Sequence, residues 1–172
     1  IMIPLVSARR EVELVKASID AVASAVRLER DHAFDYRLGV MVETPRAALR
    51  AGDIAPYVSF LSYGTNDLTQ MTYGLSRDDA GKFLPLYVEQ DIYPNDPFVA
   101  IDQAGVGRLV KMGCELGRKT RADIKLGICG EHGGESSSVK FCHRIGLDYV
   151  SCSPFRVPVA RLAAAQAFLA DK

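Results

Sequence analysis

Glu43 and Asp67 each stand directly behind a short apolar run, and Cys129 closes a third. Neighbouring strands of a sheet lie about 4.8 Å apart, so carboxylates at two adjacent strand ends can reach one ion. Such hard oxygen donors suit Mg2+, which takes one or two protein carboxylates and leaves its other positions to water and substrate oxygens. A bidentate α-keto acid or its enolate would complete that shell. Two rim carboxylates that each cap a helix start would have the same spacing, so spacing alone leaves both readings open.

The second acid stands within "SYGTNDLTQ", residues 62 to 70. Gly64 lets a ligand approach the backbone, and the amides of Thr65 and Asn66 could donate to a carboxylate or phosphate oxygen. A glycine turn with an Asx cap would explain Gly64 and Asn66 but not the density of polar groups. Cys129 sits between two glycines in "GICGEHGGE". A thiol of ordinary pKa, about 8.5, is mostly protonated at neutral pH and could deliver a proton to carbon without prior activation. A strand cysteine on its own is more often a small buried hydrophobe. His132 reads equally well as a polar turn residue, and His32 and His143 read as structural or surface residues.

These residues must be positioned by the elements behind them. Five short apolar runs, at residues 1 to 6, 38 to 43, 58 to 63, 124 to 130 and 148 to 152, lack period-2 alternation, as strands buried on both faces do. Helical patterns lie between them. Val12, Val15, Ile19, Val22 and Val26 recur at steps of three and four, which predicts an amphipathic helix over 8 to 30 with that stripe against a sheet. Thr44 and Pro45 open a short helix predicted to stop at Gly52. Further helices are predicted over 101 to 118, over 135 to 145 and at the C-terminus.

Strand and helix therefore alternate, which implies parallel strands with helical crossovers. The polar clusters fall at the carboxyl ends of the strands, the rim on which β/α barrels build active sites. Neither GxGxxG nor a P-loop is present. Five strands cannot close a barrel of eight, so the expected fold is α/β, the C-terminal portion, about five βα units, of a TIM-type β/α barrel. The connection from Met71 to about residue 100 far exceeds the usual 4 to 6 residues or so and suggests a lid or binding loop.

The 172 residues carry 21 basic and 21 acidic side chains. That balance offers no field for nucleic acid or an anionic membrane surface. No apolar run long enough to span a bilayer and no leader pattern appears, so a cytoplasmic or organelle-matrix location is expected. Cys114, Cys129, Cys142 and Cys152 lack CxxC spacing and are expected as free thiols in a reducing compartment. An apolar strand at the very first residue is expected of a piece of something longer.

"VMVETPRAAL", "SYGTNDLTQMTYGLSRDDAGKFLP", "NDPF", "GICGEHGGE" and "GLDYVSCSPFRVPVARLAAAQ" together resemble the C-terminal phosphoenolpyruvate/pyruvate-binding barrel of the pyruvate, phosphate dikinase family, over practically the whole chain. Phosphoenolpyruvate synthase and enzyme I of the sugar phosphotransferase system are similar around "TNDLTQ" and the strand-end cysteine. The resemblance implies a phosphotransferase in which ATP, phosphate and pyruvate become AMP, diphosphate and phosphoenolpyruvate through a phosphohistidine on a mobile domain. It implies Glu43 and Asp67 as Mg2+ ligands, Glu43, Gly64, Thr65, Asn66 and Asp67 as substrate contacts, and Cys129 as proton donor. Ser62 and Tyr149 match positions near the proton path. Residues 1 to 172 would be the C-terminal part of that barrel. The early strands with their phosphate-gripping arginines, the phosphohistidine domain and the ATP-grasp domain would lie outside it, and the full-length protein would be a homodimer.

One departure is Ser136, where the family pattern leads us to expect proline. None of the three histidines stands in a phosphohistidine context. Two other readings stay open: a noncatalytic half-barrel that pairs with another chain, and a different magnesium-dependent barrel such as an aldolase or lyase of small keto acids.

Overall fold

The computed structural model describes residues 1–171. Among these, five strands form one sheet in the order β1 (Met2–Ile3), β2 (Gly39–Val42), β3 (Phe60–Gly64), β4 (Lys125–Cys129), β5 (Tyr149–Val150), and every pairing is parallel. Each predicted run coincides with a strand; four of the strands lie inside their runs, and β3 runs one residue past its own, to Gly64. Every crossover carries helix: α1 (Arg9–Arg30) after β1, α2 (Pro45–Leu49) and α3 (Ala51–Ile54) after β2. The β3 to β4 crossover holds α4 (Thr65–Tyr73), α5 (Arg77–Ala80), α6 (Leu84–Glu89) and α7 (Val106–Thr120). After β4 comes α8 (Ser136–Arg144), and α9 (Val157–Ala170) follows β5.

Side chains alternate across a strand, and the two faces of this sheet differ in chemistry. Val40, Val42, Leu61, Tyr63, Leu126 and Ile128 are fully buried on the face that carries the helices. They pack with Ala47, Ala48, Ala51, Ile54, Val106 and Val110 into the main core. The other face is a row of unlike residues in register: Met41 pairs with Ser62, Ser62 with Gly127, and Gly127 with Tyr149. One step further along, Gly64 pairs with Cys129. That second face is the inward wall of an open barrel, and its carboxyl edge carries the polar clusters.

Thr44 caps α2, its hydroxyl accepting from the Ala47 amide at 3.1 Å. The helix then breaks at Arg50, so Gly52 lies inside α3 instead of ending the first helix. Ser136 is the first residue of α8, whose cap is Glu135, accepting from the Ser137 and Ser138 amides. A first helical position takes proline or serine alike, so that departure leaves the helix start intact.

The predicted stripe on α1 is only partly buried. Val12 is fully covered, but Val22 is 63% exposed, and Val15 and Val26 are also open. The physical reason is the shortness of β1: a two-residue edge strand cannot cover a 22-residue helix, so the stripe overhangs the sheet. Phe155, Leu162 and Leu169 form a second exposed apolar region at the other end. The long connection has its own small core of Ala80, Leu84 and Phe98.

Candidate active site

Glu43 follows β2 directly and is almost wholly buried. Its Oε1 accepts from the Leu5 amide at 2.7 Å, which ties the end of β2 to the segment after β1. Burial raises the Glu43 pKa, the Leu5 amide opposes that, and the neighbouring Asp67 carboxylate raises it further. The two acids therefore do converge. Gly64 makes room for this: a Cβ there would meet Glu43 Oε2 at 2.7 Å and Met41 Sδ at 3.0 Å.

Asp67 lies in the first turn of α4, which springs from β3 with Gly64 as its N-cap. The first amides of a helix have no intrahelical acceptor, so those of Thr65, Asn66 and Asp67 are donors at the positive end of α4. Gln70 Nε2 donates to Asp67 Oδ1 at 3.1 Å and orients that carboxylate. The Thr65 side chain is fully buried and its hydroxyl lies 2.6 Å from His132 Nδ1, so the hydroxyl is already engaged inside the protein.

Cys129 ends β4 beside these groups. Its Sγ lies 3.4 Å from Met41 Sδ and 3.6 Å from the Tyr63 carbonyl. Burial pushes the thiol above its ordinary pKa; hydrogen bonding with Ser62 opposes this, and the charges of Glu43 and Asp67 add to it. Ser62 also hydrogen-bonds Tyr149, whose own pKa is raised chiefly by burial. The thiol, the Ser62 hydroxyl and the Tyr149 phenol thus share one face of the sheet. Tyr149 lies flat over Gly127, where a Cβ would fall 2.1 Å from its ring.

His132 is no mere turn residue. It is fully buried, with Nε2 2.9 Å from the Pro97 carbonyl. A carbonyl only accepts, so Nε2 carries the proton and Nδ1 accepts from the Thr65 hydroxyl. Burial lowers the pKa of the ring and keeps it neutral. The partner is 35 residues away in sequence, which hid this contact from pattern reading. His32 and His143 lie elsewhere, His143 pairing with Asp171 at 2.9 Å. Arg77, Gln70, Met41 and Glu131 were not singled out as site residues, yet all four flank the predicted ones.

The family model described as "PEP-utilising enzyme, PEP-binding domain" matches residues 1–168. The chain belongs to this family. It is 59% identical over 172 residues to pyruvate, phosphate dikinase from Clostridium symbiosum, covering 100% of this chain and 20% of that protein. Pyruvate, phosphate dikinase 2 from Zea mays is 58% identical over 96% of this chain and 19% of its own length. The chloroplastic pyruvate, phosphate dikinase 1 from Arabidopsis thaliana is 56% identical over 99% of this chain and 18% of its own. The domain spans about a fifth of the length of these curated relatives. Among solved structures, a citrate lyase from Burkholderia xenovorans LB400 matches with a TM-score of 0.61 at 16% identity, over 94% of this chain and 47% of that one. At that identity the likeness speaks for the α/β barrel fold alone.

The donor set of the domain fits a magnesium ion. Neither Glu43 nor Asp67 has a cationic partner among the described residues, and their proximity raises the pKa of Glu43. No group of three or more His, Cys, Asp or Glu suited to a metal occurs among those residues. A tightly caged metal such as structural zinc is therefore a poor match, whereas two carboxylates with open positions suit Mg2+. No described helix is long and apolar enough to cross a membrane.

Proposed function

We propose that this domain is the pyruvate- and phosphoenolpyruvate-binding catalytic part of a pyruvate, phosphate dikinase, and that it hosts phosphoryl transfer between a phosphohistidine and pyruvate. The observation that supports this most is the meeting of Glu43, Asp67 and Cys129 at one sheet edge, with the helix start at Gly64 between them. In this reading Glu43 and Asp67 hold Mg2+, which when bound supplies positive charge against the oxygens of the three-carbon substrate. The backbone amides from Thr65 to Asp67 orient the substrate's anionic end. Cys129 as the thiol gives a proton to the methylene carbon as phosphoenolpyruvate becomes pyruvate, leaving the thiolate, and in reverse the thiolate takes a proton from the methyl carbon and the thiol is restored. Ser62 and Tyr149 hold the thiol's hydrogen-bond geometry.

The remaining barrel strands, the phosphohistidine domain and the ATP-binding domain belong, in this reading, to the rest of the natural polypeptide. The enzyme would be a cytoplasmic or organellar homodimer. Deuterium exchange into the methyl group of pyruvate, followed by NMR in the natural polypeptide, tests the proposal. Exchange should require Mg2+ and should need no ATP. Exchange that proceeds equally without a divalent ion would overturn it, and cleavage of a carbon–carbon bond without phosphoryl transfer would point to a lyase.

A further inference from the structure

Glu131 follows the Cys129–Gly130 strand end and faces the start of α4. Its Oε2 accepts from Asn66 Nδ2, and its Oε1 accepts from Arg77 Nη2 at 2.9 Å. Only the NH2 end of a carboxamide can pair with a carboxylate, so this contact fixes which way the Asn66 side chain is turned. The end left over is Oδ1, which is buried and has no hydrogen-bond partner among the described residues. A buried acceptor without a partner is unfavourable, and left to itself the amide would rotate to relieve it. The amide also lies against Gly130, whose Cβ, if present, would sit 3.4 Å from both Asn66 Nδ2 and Oδ1.

From this geometry we infer that Glu131 is a positioning residue for Asn66. It holds the carboxamide so that Oδ1 is kept as an acceptor for a water molecule beside the bound substrate, whose own carboxylate and keto oxygens only accept. The second bond, to Arg77, fastens the start of the long connection to the same carboxylate. Arg77 is further seated by its amide, which donates to Gln70 Oε1 at 2.8 Å. The ion pair alone is half exposed at both partners and adds little stability, so the role of Glu131 lies in orientation. Its carboxyl pKa is held down at about 2 by Asn66 and Arg77, so the charged, accepting form persists at working pH.

This inference rests on the functional reading above for its kinetic arm only. The natural polypeptide would be compared with Glu131→Ala, Glu131→Gln, Asn66→Ala and the Glu131→Ala/Asn66→Ala double variant. Hydrogen–deuterium exchange of the peptide covering residues 65–73 should speed up at least threefold in Glu131→Ala. It should stay near the unsubstituted rate in Glu131→Gln, whose amide oxygen still accepts from Asn66. In methyl exchange, Glu131→Ala should raise KM for pyruvate about tenfold with a smaller fall in kcat, Gln should largely rescue it, and the double variant should be no worse than Asn66→Ala. The inference is overturned if the 65–73 peptide is unchanged in Glu131→Ala, if Gln behaves like Ala, or if the two single effects simply multiply. Absence of methyl exchange in the unsubstituted protein would sink the functional reading instead, and the peptide protection would still decide the role of Glu131.

Discussion

Glu43 occupies the space that a side chain on Gly64 would need: a Cβ on Gly64 would lie 2.7 Å from Glu43 Oε2 and 2.9 Å from its Cβ. The glycine is thus what permits the end of β2 and the start of α4 to share one corner. Gly64→Ala should push the carboxylate away from Asp67. We expect methyl exchange to fall by roughly 100-fold, a barrier rise of about 2.7 kcal/mol. Mg2+ affinity measured by calorimetry should weaken in step.

Cys129→Ala should reduce methyl exchange by about 10^2- to 10^4-fold, the usual span for a positioned acid or base. Pyruvate binding, followed by fluorescence or calorimetry, should change little. The pH profile gives a second reading. Since burial raises the thiol pKa, its protonated form persists above the ordinary thiol value of about 8.5. Followed in the direction of pyruvate formation, proton delivery should therefore decline only at still higher pH, whereas methyl exchange, which begins with the thiolate, should rise there, and both limbs should be missing in the alanine variant.

His132 should make stability depend on pH. Its folded-state pKa lies below the ordinary histidine value of about 6.5, so the unfolded chain binds the proton first as pH falls. The stability linked to the neutral ring is complete above that value and is lost as pH drops through the lower folded-state pKa. Midpoints of urea unfolding between about pH 7 and 5 should fall more in the unsubstituted protein than in His132→Gln. His132→Ala should cost about 2–4 kcal/mol, since it empties a filled site, leaves the Pro97 carbonyl unpaired and leaves the Thr65 hydroxyl only its longer bond to the Cys129 carbonyl.

Gly127→Ala should destabilise the protein by about 1–3 kcal/mol, as overpacking does, because the added carbon would strike the Tyr149 ring. The pair should be non-additive. In a double variant, Tyr149→Ala should recover part of the loss from Gly127→Ala, measured by denaturant unfolding.

The three central strands were legible because one face of each is a fully buried apolar row, as at Leu61 and Tyr63 or Leu126 and Ile128. Strand ends were less so, because hydrogen-bonded pairing does not follow the apolar run: β1 and β5 pair over two residues only, and β3 pairs on through Gly64. The α1 helix was readable from its periodicity, but the exposure of Val22 was not, since it depends on how far β1 reaches. Glu43, Asp67 and Cys129 could be placed together because each stands at or just past the carboxyl end of one of three neighbouring parallel strands. His132 and Arg77 could not, because their partners Pro97 and Glu131 lie 35 and 54 residues away across a connection whose path no local pattern encodes.

That connection hangs from two pegs, the Arg77 amide bonded to Gln70 at 2.8 Å and the Pro97 carbonyl held by His132 at 2.9 Å. The chain between them is therefore anchored independently of its own length. Doubling a flexible loop adds only about 0.6 kcal/mol of closure entropy, and Gly81 and Lys82 sit at its outer surface. A reporter peptide spliced there would ride on the mouth of the barrel without loosening the wall beneath.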